Sequence, residues 1–109
     1  MIVLYGLANC DTCRKARRAL HDAGHDVILR DVRAEPLAPA ELVRLHEAFG
    51  DRLLNRASAT WRRLDEAARG APLRDLLAAH PALMKRPVIE VSGMLHLGWD
   101  GAVRRAILG

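Results

Sequence analysis

The sequence predicts an α/β fold in which a four-stranded mixed sheet carries a helical insert. Strand, helix and strand patterns follow one another within residues 1–32, the order of a βαβ unit. Short helical patterns then fill residues 37–84, and two apolar runs with a tight turn between them precede a last helix. The order βαβ, helices, ββα packs helices on one sheet. A chain of 109 residues can build one modest core, so a single domain over residues 1–109 is expected.

The first strand, helix and strand are each marked by their apolar spacing. Residues 2–5 form an apolar, β-branched run closed by Gly6, which predicts a strand buried on both faces. Over residues 11–23 apolar residues recur at helical spacing, and Gly24 marks the C-terminal end. Residues 26–32 predict the second strand. The βαβ pattern implies a right-handed crossover and parallel pairing of the two strands.

The remaining elements follow from proline, glycine and capping signals. A helix over residues 39–49 ends at Gly50, and Ser92-Gly93 is the two-residue turn of a β-hairpin. Asp100 can cap a last helix, in which Val103, Ala106 and Ile107 are expected to face inward. This order is that of the thioredoxin-like architecture. The other predicted segments are helical at residues 51–55, 60–69 and 73–79 and extended at residues 88–91 and 94–97.

Composition and charge limit the partners. Half of the residues are hydrophobic, but no apolar run reaches the roughly 18 residues that cross a bilayer, so no membrane partner is predicted. The N-terminus lacks the basic region and cleavage site of a signal peptide, which favours a cytoplasmic location. The net charge of +4 suits small anions, thiol-tripeptide carboxylates or an acidic protein. Direct nucleic-acid binding is not expected, because the arginines are spread out and aromatic residues are few.

Both cysteines lie where the first strand gives way to the first helix. A thiol there meets unpaired backbone N–H groups and the positive end of the helix dipole, which favour the nucleophilic thiolate. Cys13 follows Cys10 by about one turn on the same helix face, close enough to close a disulfide. In the cytoplasm such a pair is more often catalytic, sensing or metal-binding than structural. Cys10 and Cys13 are therefore the candidate catalytic residues.

Two other uses of the cysteines fit the sequence less well. A disulfide closing so small a loop stabilises by only about 2 kcal/mol, and polar neighbours argue against inert core thiols. Cys10, Cys13, His21 and His25 match a zinc ligand set in number. If residues 11–23 form one helix, His21 lies about 12 Å along its axis from Cys13, too far for ligands about 2 Å from one ion. No metal site is predicted.

Polar residues around the pair are candidates for substrate binding, namely Asn9, Thr12 and Arg14. Arg14 lies one turn beyond Cys10 and could hold its thiolate by charge. Asp11 opposes that effect at closer range in the sequence. The residues alone leave this balance open.

Several short motifs, in an order that covers essentially the whole chain, point to a known family. They are Leu4-Tyr5-Gly6 before Asn9-Cys10-Asp11-Thr12, Lys15-Ala16-Arg17, Leu53-Leu54-Asn55-Arg56 before Thr60-Trp61-Arg62-Arg63-Leu64, His80-Pro81, Lys85-Arg86-Pro87 and Leu97-Gly98-Trp99. Together they resemble the ArsC/Spx family, the arsenate reductase-like branch of the thioredoxin-like fold.

The resemblance implies roles for individual residues. Cys10 is then the nucleophile, and Arg86 presents its guanidinium to an oxyanion or to a glutathione carboxylate. Pro87 is a cis-proline facing the active-site loop. Arg56 matches the family region that supplies another anion-binding group.

The resemblance also implies an activity: a glutathione-dependent thiol–disulfide reductase with an arsenate reductase-like site. It needs no bound cofactor, uses glutathione or a glutaredoxin-type protein as reductant, and acts on a disulfide or a small oxyanion. Cys13 is shared with Spx-type regulators, so the alternative is a redox-sensing regulator that binds the α subunit of RNA polymerase. Characterised arsenate reductases carry histidine where this chain has Gly6 and a further arginine near the Gly98-Trp99 region. The chain looks more like the small YffB-like members.

Overall fold

A computed structural model describes all residues from Met1 to Gly109. The chain divides into two compact units, Met1–Glu35 with Arg86–Gly109 and, separately, Pro36–Lys85. None of the helices combines the length and apolar composition that spanning a bilayer requires. The elements are β1 (Ile2–Gly6), α1 (Asp11–Asp22), β2 (Val27–Asp31), α2 (Pro39–Phe49), α3 (Ala59–Arg63), α4 (Glu66–Arg69), α5 (Leu73–Ala79), β3 (Val88–Val91), β4 (Met94–Leu97) and α6 (Gly101–Leu108), with 3-10 turns at Gly50–Leu53 and Pro81–Leu83.

The first unit contains the four-stranded mixed sheet, which confirms the predicted fold class. Its strand order is β2-β1-β3-β4. β1 pairs with β2 in parallel, whereas the β1–β3 and β3–β4 pairs are antiparallel. In the β3–β4 turn Ser92 and Gly93 have φ of 50° and 81°, as a two-residue hairpin turn with the right twist requires. The central position of β1 explains why four of its five residues are buried.

One face of α1 covers this sheet. Cys13, Ala16 and Leu20 recur at helical spacing and are buried with residues of β1 and β3. The helix ends where the N–H of Gly24 donates to the carbonyl of His21 at 2.9 Å, with Gly24 at φ 93°. A φ in this range suits glycine at a helix end. The strand–helix–strand order therefore follows from apolar spacing and one glycine stop.

The last helix also belongs to the first unit. The Asp100 side chain accepts the N–H of Val103 at 2.9 Å and caps α6 as predicted. Val103 and Ile107, four residues apart, pack against the core together with the half-buried Trp99. The prediction that Ala106 faces inward was wrong, because it is exposed. Val103 and Ile107 therefore form the inward face of α6.

The second unit consists of helices and turns, and it contains the predicted helical block. Two sequence predictions inside it were wrong. Residues 60–69 form two helices, because the Asp65 side chain accepts the N–H of Ala68 at 2.7 Å and starts α4 afresh. Residues 51–55 are helical only as far as Leu53. Leu54 instead forms an antiparallel bridge with Met84, so the chain is extended there.

Candidate active site

Cys10 occupies the N-cap position of α1, at the end of a short loop that leaves β1. Its backbone N–H donates to the carbonyl of Leu7 at 3.1 Å, and its own carbonyl accepts the N–H of Arg14 at 3.0 Å. The side chain is half-buried and packs against the core of the first unit. The sulfur is therefore held at the start of the helix while part of the side chain remains accessible.

Three neighbouring groups favour the thiolate of Cys10. Burial alone would raise the pKa of this thiol above its ordinary 9.0. The backbone N–H and the thiol of Cys13, together with the guanidinium of Arg86, outweigh burial, so the pKa of Cys10 lies below the ordinary value. The thiolate of Cys10 thus depends on several close contacts.

Cys13 has the opposite character. Its side chain is only 1% exposed and belongs to the core cluster. The pKa of Cys13 is raised to about 12, chiefly by burial and also by the adjacent Cys10, while the N–H of Leu7 and the charge of Arg86 work in the other direction. Both cysteines are free thiols. At neutral pH Cys13 therefore stays protonated and can donate its S–H to the Cys10 thiolate.

Gly6 makes room for the Cys13 sulfur. A Cβ atom built on Gly6 would overlap Sγ of Cys13 and lie 3.3 Å from Cδ2 of Leu4. Any larger side chain at this position must displace the buried thiol. Gly6 thus has a direct physical partner in Cys13.

Arg86 acts on the cysteines from the segment that enters β3, and Pro87 directly follows it. The Arg86–Pro87 peptide bond is cis, as the family resemblance implied. Pro87 is fully buried, and its carbonyl accepts the N–H of Gly98 at 2.7 Å. Arg86 is half-buried, and its charge acts on both sulfurs. A role of these two residues in binding a substrate anion stays a prediction.

The other candidates in the loop and first turn are exposed, namely Asn9, Thr12 and Arg14. Nη2 of Arg14 lies 2.5 Å from Oδ1 of Asp11. This contact holds the pKa of the Asp11 carboxyl below its ordinary value. Arg86, rather than Arg14, supplies the positive charge that acts on Cys10. Substrate binding by the three exposed residues stays a prediction.

Arg56 lies in the second unit, where it is exposed at the surface. Its guanidinium stacks on the ring of Trp61, 5.5 Å from the ring centre, and Arg69 stacks on the same ring at 5.3 Å. Such contacts contribute roughly 0.5–1 kcal/mol each at exposed sites. The anion-binding role implied for Arg56 stays a prediction.

The histidines do not join the cysteines in a metal-binding group. His21 is exposed, and its Nδ1 lies 3.7 Å from Oδ1 of Asp22. The structure has no group of three or more histidine, cysteine, aspartate or glutamate side chains that could hold a metal ion.

Asp31 is a site residue that the sequence analysis missed. It ends β2 opposite Gly6, and its Oδ2 accepts the N–H of Ala8 in the loop before Cys10 at 3.0 Å. Oδ1 accepts the backbone N–H groups of Arg33 at 2.9 Å and of the next residue at 3.1 Å. The N–H of Ala8 contributes most to holding the pKa of the Asp31 carboxyl below its ordinary value. An aspartate at the carboxyl end of a strand parallel to β1 was the available signal.

Comparison with known proteins places this geometry in a family. The sequence model of the ArsC family matches residues 5–107. The chain belongs to the ArsC family. Among solved structures, it is similar over its whole length to a YffB protein, with 33% identity, full coverage of both chains and a TM-score of 0.89. A second solved structure, an arsenate reductase (ArsC) related protein from Brucella melitensis, is 38% identical. The match covers 97% of this chain and 92% of that one, with a TM-score of 0.75.

A regulator is also among the relatives of this ArsC-family chain. The global transcriptional regulator Spx of Bacillus subtilis is 30% identical over 106 residues, which cover 92% of this chain and 81% of Spx. The proteins similar to this chain therefore include both an arsenate reductase-related protein and a transcriptional regulator.

Proposed function

We propose that this ArsC-family protein is a glutathione-dependent thiol–disulfide reductase whose nucleophile is Cys10. The observation that carries the proposal is the asymmetry of the cysteine pair. Cys10 is half-buried at a helix N-terminus with a lowered pKa, while Cys13 is buried and protonated beside it. A partly exposed thiolate stabilised by a neighbouring thiol and a guanidinium favours thiol–disulfide exchange.

The reaction proceeds by successive thiol–disulfide exchanges. The Cys10 thiolate attacks one sulfur of a disulfide, forms a mixed disulfide and expels the other sulfur as a thiolate. A glutathione thiolate then attacks the Cys10 sulfur, expels the second half of the substrate as a thiolate and remains bonded to Cys10. A second glutathione thiolate attacks the bound glutathione sulfur and restores the Cys10 thiolate, so two glutathione molecules supply two electrons and leave as glutathione disulfide. If Cys13 attacks the mixed disulfide instead, a Cys10–Cys13 disulfide forms, and two glutathione molecules reduce it. Arg86 would orient a carboxylate of glutathione, or an oxyanion substrate such as arsenate.

The test is a glutathione-oxidation assay with a small disulfide, a glutathionylated peptide and arsenate as separate substrates, each with and without glutaredoxin. Cys10→Ser should abolish turnover of whichever substrate is used, because a serine hydroxyl cannot form the mixed disulfide. Cys13→Ser should only reduce turnover, because glutathione can resolve the intermediate. Equal loss in both variants would mean that the resolving thiol is internal. Undiminished turnover in Cys10→Ser would contradict the proposal.

The 30% sequence identity with Spx favours a second candidate function, a redox-sensing regulator that binds the α subunit of RNA polymerase. The cysteine pair would then act as a switch through a disulfide between Cys10 and Cys13. A pull-down with the C-terminal domain of the polymerase α subunit, under oxidising and reducing conditions, separates the two functions. Binding in neither state would exclude the regulator, and redox-dependent binding without glutathione turnover would exclude the reductase.

A further inference from the structure

An arginine-rich strip runs along α1 in line with Cys10. On an α-helix, residues at positions four, seven, eight and eleven after a given residue lie on its side of the helix. Relative to Cys10, these positions hold Arg14, Arg17, Arg18 and His21, and all four side chains are exposed. At 1.5 Å per residue the strip extends about 16 Å from the cysteine. It begins one helical turn from Cys10.

The same four side chains line an open groove of about 440 Å³. Asp22 and Val27 complete its lining. Two members of the strip have acidic neighbours on their own helix, whereas neither Arg17 nor Arg18 has an ion-pair partner. The two unpaired guanidinium groups make the groove attractive to a negatively charged partner.

We propose that this strip docks an acidic stretch of polypeptide and thereby presents the disulfide or mixed disulfide that it carries to Cys10. The proposal rests on the proposed function. At about 3.3 Å per residue, roughly five extended residues span the distance from Cys10 to the far end of the strip. The groove has no aromatic lining residue on which nucleic-acid bases could stack, so polypeptide is the anionic partner that it suits. The Cys10 sulfur bonds to the nearer sulfur of the docked disulfide, and the other sulfur leaves as a thiolate.

The test measures how fast the reduced protein reacts with two synthetic peptides. Each carries one cysteine as a mixed disulfide with thionitrobenzoate, flanked by glutamates in one peptide and by glutamines in the other. Release of the coloured thionitrobenzoate gives a second-order rate constant that does not depend on turnover with glutathione. The Cys10→Ser protein should not release thionitrobenzoate at this rate. That result would assign the release to attack by Cys10.

We expect the doubly substituted Arg17→Glu/Arg18→Glu protein to react at least tenfold more slowly with the acidic peptide at low salt, and to change less than twofold with the neutral peptide. In the unaltered protein, added salt should reduce the difference between the rate constants for the two peptides, because salt screens exposed charges. A matched control, Arg52→Glu/Arg105→Glu, makes the same change in net charge at exposed arginines outside the strip. It should keep the preference for the acidic peptide.

Three results would overturn the proposal. The unaltered protein could react equally with both peptides, the Arg17→Glu/Arg18→Glu change could slow both peptides alike, or a single-stranded oligonucleotide could compete better than polyglutamate. If the unaltered protein prefers the acidic peptide but shows no turnover with glutathione, the result would support the docking strip and contradict only the reductase function.

Discussion

Replacing Gly6 by alanine should destabilise the protein through one atom, the sulfur of Cys13. The new Cβ would overlap Sγ of Cys13, while its other close neighbours, Cδ2 of Leu4 at 3.3 Å and Cβ of Cys13 at 3.4 Å, are only tight. Gly6 is not among the residues with positive φ, so alanine meets no backbone strain there. Overpacking of this kind typically costs about 1–3 kcal/mol. Against a total stability of roughly 5–15 kcal/mol, that loss is readily measured.

A double-mutant cycle isolates this contact. In a Cys13→Ala background the overlapping sulfur is gone, so Gly6→Ala should cost less than about 1 kcal/mol and can partly fill the vacated space. The coupling free energy between the two substitutions should therefore be about 1–3 kcal/mol. Gly70→Ala is the matched control, because its Cβ would lie 3.4 Å from the nearest atom at a φ of −78°.

Urea unfolding of the single and double variants supplies the free energies. The Gly70→Ala effect should be the same with and without Cys13→Ala. Additive effects of Gly6→Ala and Cys13→Ala, within about 0.5 kcal/mol, would refute the reasoning. They would mean that the alanine at residue 6 is accommodated without displacing the thiol. If the contact is real, Gly6→Ala should also raise the pKa of Cys10, because it displaces the S–H group that lowers that pKa.

Three further outcomes are expected. Cys13→Ala should raise the pKa of Cys10, because the thiol that donates to the Cys10 sulfur is lost. An unchanged pH profile of iodoacetamide alkylation would contradict the claim that Cys13 stabilises the Cys10 thiolate. Asp31→Asn should also raise the pKa of Cys10, because it weakens the hydrogen bond that holds the loop at Ala8. Removal of a negative charge alone would lower that pKa. The direction in which the pH titration of thiolate absorbance shifts therefore separates the two effects. Asp100→Ala should lower the free energy of unfolding by about 1 kcal/mol through loss of the α6 cap, and no change in urea denaturation would show that water replaces the cap.

The sheet and its helices were largely predictable because their signals are local. Apolar spacing with Gly24 defined α1 to within one residue, and Ser92-Gly93 located the hairpin. The split between α3 and α4 escaped prediction because Asp65 can either continue a polar helix face or cap a new helix. Only the hydrogen bond that it accepts from Ala68 decides between these states.

The candidate site was predictable in its nucleophile but not in its electrostatics. The placement of Cys10 followed from the junction of strand and helix, which is encoded within a few residues. The charge that favours its thiolate comes from Arg86, 76 residues further along the chain, because β3 pairs with β1. Proximity in the sequence offered Arg14, whose guanidinium instead pairs with Asp11. The family resemblance, and not the local spacing, implied that Arg86 lies at the site; its effect on the Cys10 thiolate follows from the pairing of β1 with β3.

The two tryptophans give each unit its own fluorescent probe. Trp61 belongs to the helical unit, and Trp99 belongs to the sheet unit, where the guanidinium of Arg104 stacks 5.9 Å from its ring centre. A Trp99→Phe protein therefore reports the melting of the helical unit alone, and a Trp61→Phe protein that of the sheet unit. Coincident transitions would mean that the chain unfolds as one cooperative system. A transition of the helical unit at a lower temperature than that of the sheet unit would mean that the helical unit can open while the loop of Cys10 keeps its fold.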